Sequence, residues 1–123
     1  MEQRENAGSK SETSALCPVT GLPILTRPDW TNVSFGGDYR VTFSVLGNRI
    51  LLQRPSGYAT LNDIEHLITL LDKNVLPNAF PQGQPYVRIE NWAELTGFSR
   101  QARECYISHI KAVSYTHLTL PTN

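Results

Sequence analysis

Hydrophobic and polar positions alternate most cleanly over residues 39–45, where Tyr39, Val41, Phe43 and Val45 are separated by Arg40, Thr42 and Ser44. A period of two is that of a strand with one buried face. Gly47 and Asn48 follow, both tolerant of positive φ, so a two-residue hairpin turn and an antiparallel return over 49–53 are expected. Ile50, Leu51 and Leu52 make the apolar run of that return. Pro55, which cannot donate to a ladder, and Gly57, which admits turn dihedrals, predict that the strand stops there. Thr60 and Asp63 stand three apart, as in a capping box with Asp in place of Glu or Gln, so a helix is expected from Leu61.

From there the period changes to that of a helix. Leu61, Ile64, Leu67, Ile68, Leu71 and Val75 form one stripe, with Asn62, Asp63, Glu65, Asp72 and Lys73 largely opposite. The stripe is expected to face the sheet, and Pro77 to end the helix and open a loop over 77–85. Residues 86–90 alternate again. A strand reached through a helix is expected to lie parallel to the one before it, by a right-handed crossover. Ser99 is a fit cap for a further helix on which Ala102, Cys105, Tyr106 and Ile110 share a face. The pattern therefore predicts an α/β fold with a small mixed sheet in the order ββαβα.

Upstream, residues 1–15 are polar and cannot bury enough surface to offset the entropy of ordering, so they are read as a disordered arm. Cys17 to Pro23 and Arg27 to Trp30 read as an extended, proline-punctuated leader along the domain edge. With 123 residues one domain is expected, and no disulfide or metal is needed for a core of this size. Eleven Lys and Arg balance eleven Asp and Glu, which disfavours nucleic acid as a partner. Two cysteines are too few for a disulfide framework, and no apolar run is long enough for a signal peptide or a membrane segment, so a cytoplasmic protein is expected. Asn32-Val33-Ser34 matches a glycosylation pattern that has meaning only in a secreted protein.

Candidate chemistry is sparse. Cys17-Pro18 with Gly21 resembles half of a zinc knuckle, but a structural site needs about four ligands and no C-x-x-C pair supplies them, so no metal and no other cofactor is expected. Cys105 and His109 are spaced i, i+4, like a thiol and its base, yet Cys105 lies on the apolar stripe and reads as a packed thiol. Ser56-Gly57, at the expected strand-to-helix turn, would offer N–H groups to an anion, against which Asp63 sets a negative charge. Glu90, Asn91 and Trp92 end the parallel strand, where open α/β sheets place ligands, and are the candidate binding residues. Glu90 has no second carboxylate at a useful spacing, so no catalytic residue is assigned.

The Cys17-Pro18-Val19-Thr20-Gly21-Leu22-Pro23 leader, Asp38-Tyr39-Arg40-Val41-Thr42-Phe43, Gly47-Asn48-Arg49-Ile50-Leu51-Leu52, Pro55-Ser56-Gly57-Tyr58-Ala59-Thr60-Leu61 and the Ala102-Arg103 helix together resemble the N-terminal domain of certain bacterial multidomain sensor histidine kinases, over about residues 16–111. The resemblance implies a non-catalytic sensory or interaction module in two-component signalling. It would act by a change in packing or in a homodimer contact, passed to downstream PAS and kinase regions of the same parent chain. More distantly, the ββαβα order is similar to the STAS fold of anti-sigma-factor antagonists, which implies phosphorylation of a serine at a helix start; Ser99 is near that place, though Gly97-Phe98-Ser99-Arg100 lacks the Asp-Ser-Ser-Gly type of motif. A stand-alone STAS-like partner switch that binds a regulatory protein is the alternative. Finally, the run from Val113 to Thr122 resembles one translated frame of a transposase adapter used in sequencing libraries. Residues 113–123 are accordingly read as a foreign tail, 16–112 as an incomplete α/β domain, and the native chain is expected to run on past Ala112.

Overall fold

The computed structural model describes residues 13–112 and 116–120. In chain order the elements are β1 Thr13–Leu16, β2 Pro23–Thr26, a 3-10 turn Pro28–Trp30, β3 Val33–Ser34, β4 Arg40–Leu46, β5 Ile50–Ala59, α1 Leu61–Leu70, a π-helical turn Leu71–Val75, α2 Leu76–Ala79, β6 Val87–Asn91, β7 Glu94–Phe98, α3 Arg100–Ala112 and β8 Thr116–Leu120. All described strands join one mixed sheet in the order β1-β2-β4-β5-β6-β8, with β3 beside β4 and β7 beside β5. The fold is α/β with a mixed sheet, as expected, but the element order is not the simple ββαβα series. Three strands precede β4, β7 lies between β6 and α3, and β8 follows α3.

The β4–β5 hairpin forms where the alternation places it, paired from Arg40↔Ser56 to Leu46↔Ile50. Gly47 and Asn48 both take positive φ, 61° and 53°, and Arg49 joins them in the loop, so the turn is one residue longer than expected. Strand β5 does not stop at Pro55 but runs ten residues, to Ala59. Its parallel neighbours explain this. β6 pairs with its first half, Ile50↔Val87 to Gln53↔Glu90, and β7 with its second, Ser56↔Glu94 to Ala59↔Phe98. The parallel register is interrupted opposite Arg54 and Pro55, so a residue without an N–H sits where that side of the ladder is already open. Gly57 keeps φ at +81° inside the strand, and Tyr58 donates its N–H to Asp38 Oδ2 at 2.9 Å. Ser56-Gly57 is therefore strand, and the strand-to-helix turn expected there does not form.

The capping box forms as the sequence predicts. The Thr60 side chain accepts from the Asp63 N–H and Asp63 Oδ2 accepts from the Thr60 N–H at 2.9 Å, with Asp63 only 2% exposed. Ile64, Leu67, Leu71 and Val75 are fully buried, while Leu61 is exposed. Pro77 does not end the helical run, which stays helical from the π turn at Leu71–Val75 into α2, the Leu76 N–H donating back to Leu71 O and Pro77 following directly in the first turn of α2. The π turn has a packing reason. From Leu67 the buried positions 71, 75 and 79 repeat every fourth residue, which drifts by about 40° per step on an α-helix of 3.6 residues per turn. A wider turn at Leu71–Val75 removes part of that drift and keeps the stripe on the sheet.

Residues expected at the edges are structural. Thr13–Leu16, the end of the expected arm, pairs antiparallel with Pro23–Thr26, and β2 in turn pairs with β4. The rest of the arm, 1–12, lies outside the described residues. Trp30, expected on the domain edge, is fully buried in the core; its Nε1 donates to Asn74 Oδ1 at 3.0 Å and Arg27 stacks over its ring at 5.1 Å. Of the tail, 113–115 and 121–123 lie outside the described residues, and Thr116–Leu120 runs parallel to β6. Among the described residues no helix is long and apolar enough to cross a membrane.

Candidate functional site

Strand β6 inverts the usual pattern. Its apolar residues Val87 and Ile89 are half-buried on the open face of the sheet, whereas Arg88 and Glu90, each 1% exposed, point into the helix-covered core. Register decides this: Leu51↔Arg88 and Gln53↔Glu90 share a face with buried Val45 and Phe43 across the hairpin.

The inward side chains form a closed polar network beneath α3. Arg88 donates through Nε and Nη2 to Gln53 Oε1 at 3.0 and 2.6 Å, and through Nη2 to the Tyr106 hydroxyl at 2.8 Å. That hydroxyl donates in turn to Glu90 Oε2, which lies 3.6 Å from Arg88 Nε. Glu90 Oε1 accepts from Trp92 Nε1 at 2.8 Å and from Gln53 Nε2 at 3.4 Å. Arg88 Nη1 lies 3.4 Å from His109 Nε2, whose ring stacks on Tyr106. Burial foremost, with the Glu90 carboxylate adding to it and Arg88 opposing, holds the Tyr106 phenol well above its ordinary pKa, so it stays a donor to Glu90. Burial acts the same way on Tyr39.

This arrangement divides the three candidate binding residues. Glu90 and Trp92 belong to the inward network, and the Trp92 ring is half-buried edge-on against Phe98 at 5.5 Å. With both oxygens engaged and almost no exposure, the Glu90 carboxylate is built to hold α3 on the sheet. Asn91 points the other way. It lines a cleft of about 160 Å³ on the open face together with Asn32, Thr42, Arg54, Ser56 and Glu94. The cleft opens where β6 gives way to β7, opposite the interruption in the parallel register. Asn91 Oδ1 accepts from the Ala93 N–H at 3.0 Å, and Thr42 Oγ1 accepts from the N–H of Asn32, a residue held at φ 50°.

The remaining candidates are placed as follows. Ser99 caps α3, its Oγ accepting from the Ala102 N–H at 3.1 Å while its own N–H donates to Ala59 at 2.8 Å. Cys105 is a half-buried free thiol beside the core. Cys17 is also free, in a loop closed by Cys17 N–H to Leu22 O and Gly21 N–H to Cys17 O, both 2.8 Å. Hydrogen bonds from the Thr20 hydroxyl and from the Thr20 and Val19 N–H groups lower its pKa. Among the described residues no group of three or more His, Cys, Asp or Glu is placed to hold a metal ion.

Sequence reading alone missed Gln53, Arg88 and Tyr106. The available signal was the pair Arg88 and Glu90, opposite charges two apart on a strand and hence on one face, with Gln53 at the matching place on the neighbouring strand. Comparison of the chain with protein-family models, with curated proteins and with solved structures finds no match in any of the three.

Proposed function

We propose that this chain is a non-catalytic sensory or protein-interaction module, the N-terminal part of a bacterial two-component sensor histidine kinase, cytoplasmic and joined to PAS and kinase regions of the same parent chain. The observation that carries the sensory part is the two-sided use of β6: Glu90 fastens α3 to one face of the sheet, and the next residue, Asn91, lines the cleft on the other. Anything that settles in the cleft and moves that backbone bears directly on the anchor of α3. The resemblance of residues 16–111 supplies the signalling context. The test is to sequence the genomic locus across the Ala112 codon. A frame that runs on into PAS and histidine-kinase regions is the expected result, and a stop shortly after Lys111 overturns the assignment.

A stand-alone partner switch is the second reading, favoured by the position of Ser99 as the cap of α3. It predicts that a partner protein recovered with the chain is released when Ser99 is replaced by Asp. Recovery of the same partner at the same level by both forms would count against it.

A further inference from the structure

On the open face of the sheet, Arg54 stands across the β4–β5 ladder from Thr42, while Arg40 stands across from Ser56, diagonal to Arg54. Both guanidinium groups are exposed, and neither has an ion pair or side-chain hydrogen bond among the described residues; the same holds for Glu94, on the opposite lip of the cleft. The neutral groups present mainly donors. Asn91 has committed its carbonyl oxygen to Ala93, which leaves its NH₂ to donate, and Thr42 has committed its oxygen to Asn32, which leaves its proton. The volume, about 160 Å³, lies below the roughly 300–1,000 Å³ of drug- and cofactor-sized pockets and is that of about five waters at ~30 Å³ each.

We propose that this cleft binds a small carboxylate of two to four carbons. The planar fork of Arg54 and the amide of Asn91 hold the carboxylate, Arg40 adds to the positive field, and Glu94 receives an amino group where the acid carries one. A guanidinium fork matches the two oxygens of a carboxylate in one plane, which favours that group over a compact tetrahedral anion. The proposal deepens the sensory reading by giving it a ligand class, and it rests on that reading for its purpose.

The test is a titration of the ¹⁵N-labelled full chain with acetate, glycine and inorganic phosphate, followed by amide chemical shifts. Acetate and glycine are expected to move the Asn91 and Asn32 side-chain signals and the backbone signals of Arg54 and Ser56. R54Q should weaken both acids by about tenfold or more, which corresponds to about 1.4 kcal/mol, and R54K by less. E94Q should weaken glycine and leave acetate unchanged. These side chains are exposed, so the variants are expected to fold, and their spectra report it. No shift with either acid up to about 50 mM, a limit set by the small energy a ligand of about four or five non-hydrogen atoms can supply, overturns the proposal. Equal binding by R54Q, or tighter binding of phosphate than of either acid, overturns it too. Shifts that stop at the cleft and never reach α3 would leave the binding site standing and remove the sensory reading; shifts in α3 without Arg54-dependent binding would do the reverse.

Discussion

Glu90 is a buried anion whose four partners come from three elements and the turn after β6, and its value to the fold is conditional on all of them. Buried ion pairs are weak sources of net stability, but removing one member leaves the other charge uncompensated at a cost of about 3–5 kcal/mol. Glu90→Gln is therefore expected to destabilise the chain by about 3 kcal/mol, a large part of the 5–15 kcal/mol typical of a domain. Tyr106→Phe, which removes one donor and one acceptor without removing charge, should cost about 1–3 kcal/mol. Replacing Arg88 by Met and Glu90 by Leu together should cost less than Glu90→Gln alone. Urea unfolding of the three variants decides the matter, and a Glu90→Gln chain as stable as the parent would mean that the network carries no weight. A second residue-scale expectation concerns Cys17. Because the Thr20 hydroxyl, and after it two backbone N–H groups, lower the thiol pKa, more thiolate is present at neutral pH than in an ordinary cysteine. Iodoacetamide should modify Cys17 faster than the same cysteine in Thr20→Val, and equal rates would exclude the hydroxyl as the cause.

At the scale of elements, close approach decides what sequence pattern leaves open. A Cβ on Gly57 would lie 2.5 Å from the Asp38 carbonyl oxygen, at a φ of +81° that side chains rarely adopt. Gly57→Ala should lower stability by about 1–3 kcal/mol, and an unchanged thermal midpoint would mean that the β4–β5 crossing can open without cost. The hairpin, the capping box, α1 and the parallel pairing of β6 were legible because each depends on local chemistry or on a periodicity that survives in one dimension. The prolines were not. Pro55 and Pro77 are breakers by local rules, but one is absorbed by an interruption in the neighbouring strands and the other directly follows the π turn of a continuous helical run. Both facts are tertiary. Likewise the inward side of β6 is set by its register on Leu51 and Gln53, so alternation alone could not tell that Arg88 and Glu90, rather than Val87 and Ile89, face the core. Glu90, Asn91 and Trp92 could be singled out by their place at a strand end, but their division between the two faces could not.

For the molecule as a whole, the helices differ in how they are held. The α1 run enters through a capping box and buries Ile64, Leu67, Leu71 and Val75 completely. Among the buried residues of α3 are only Ala102 and Tyr106, and one of these spends its polar end on Glu90. Apolar burial is non-directional and tolerates small shifts, whereas a hydrogen-bonded charge network has one good arrangement, so α3 is the element whose seating depends on the state of the sheet. Hydrogen exchange should separate the two. In Glu90→Gln the amides of α3 are expected to exchange faster by a larger factor than those of α1, because local opening of α3 no longer breaks a satisfied network while α1 keeps its buried stripe. A uniform rise across both helices would mean that the network stabilises the fold as one unit. In that case the cleft and α3 could not be coupled by release of the helix, and coupling would have to travel through the packing of α1 against α3.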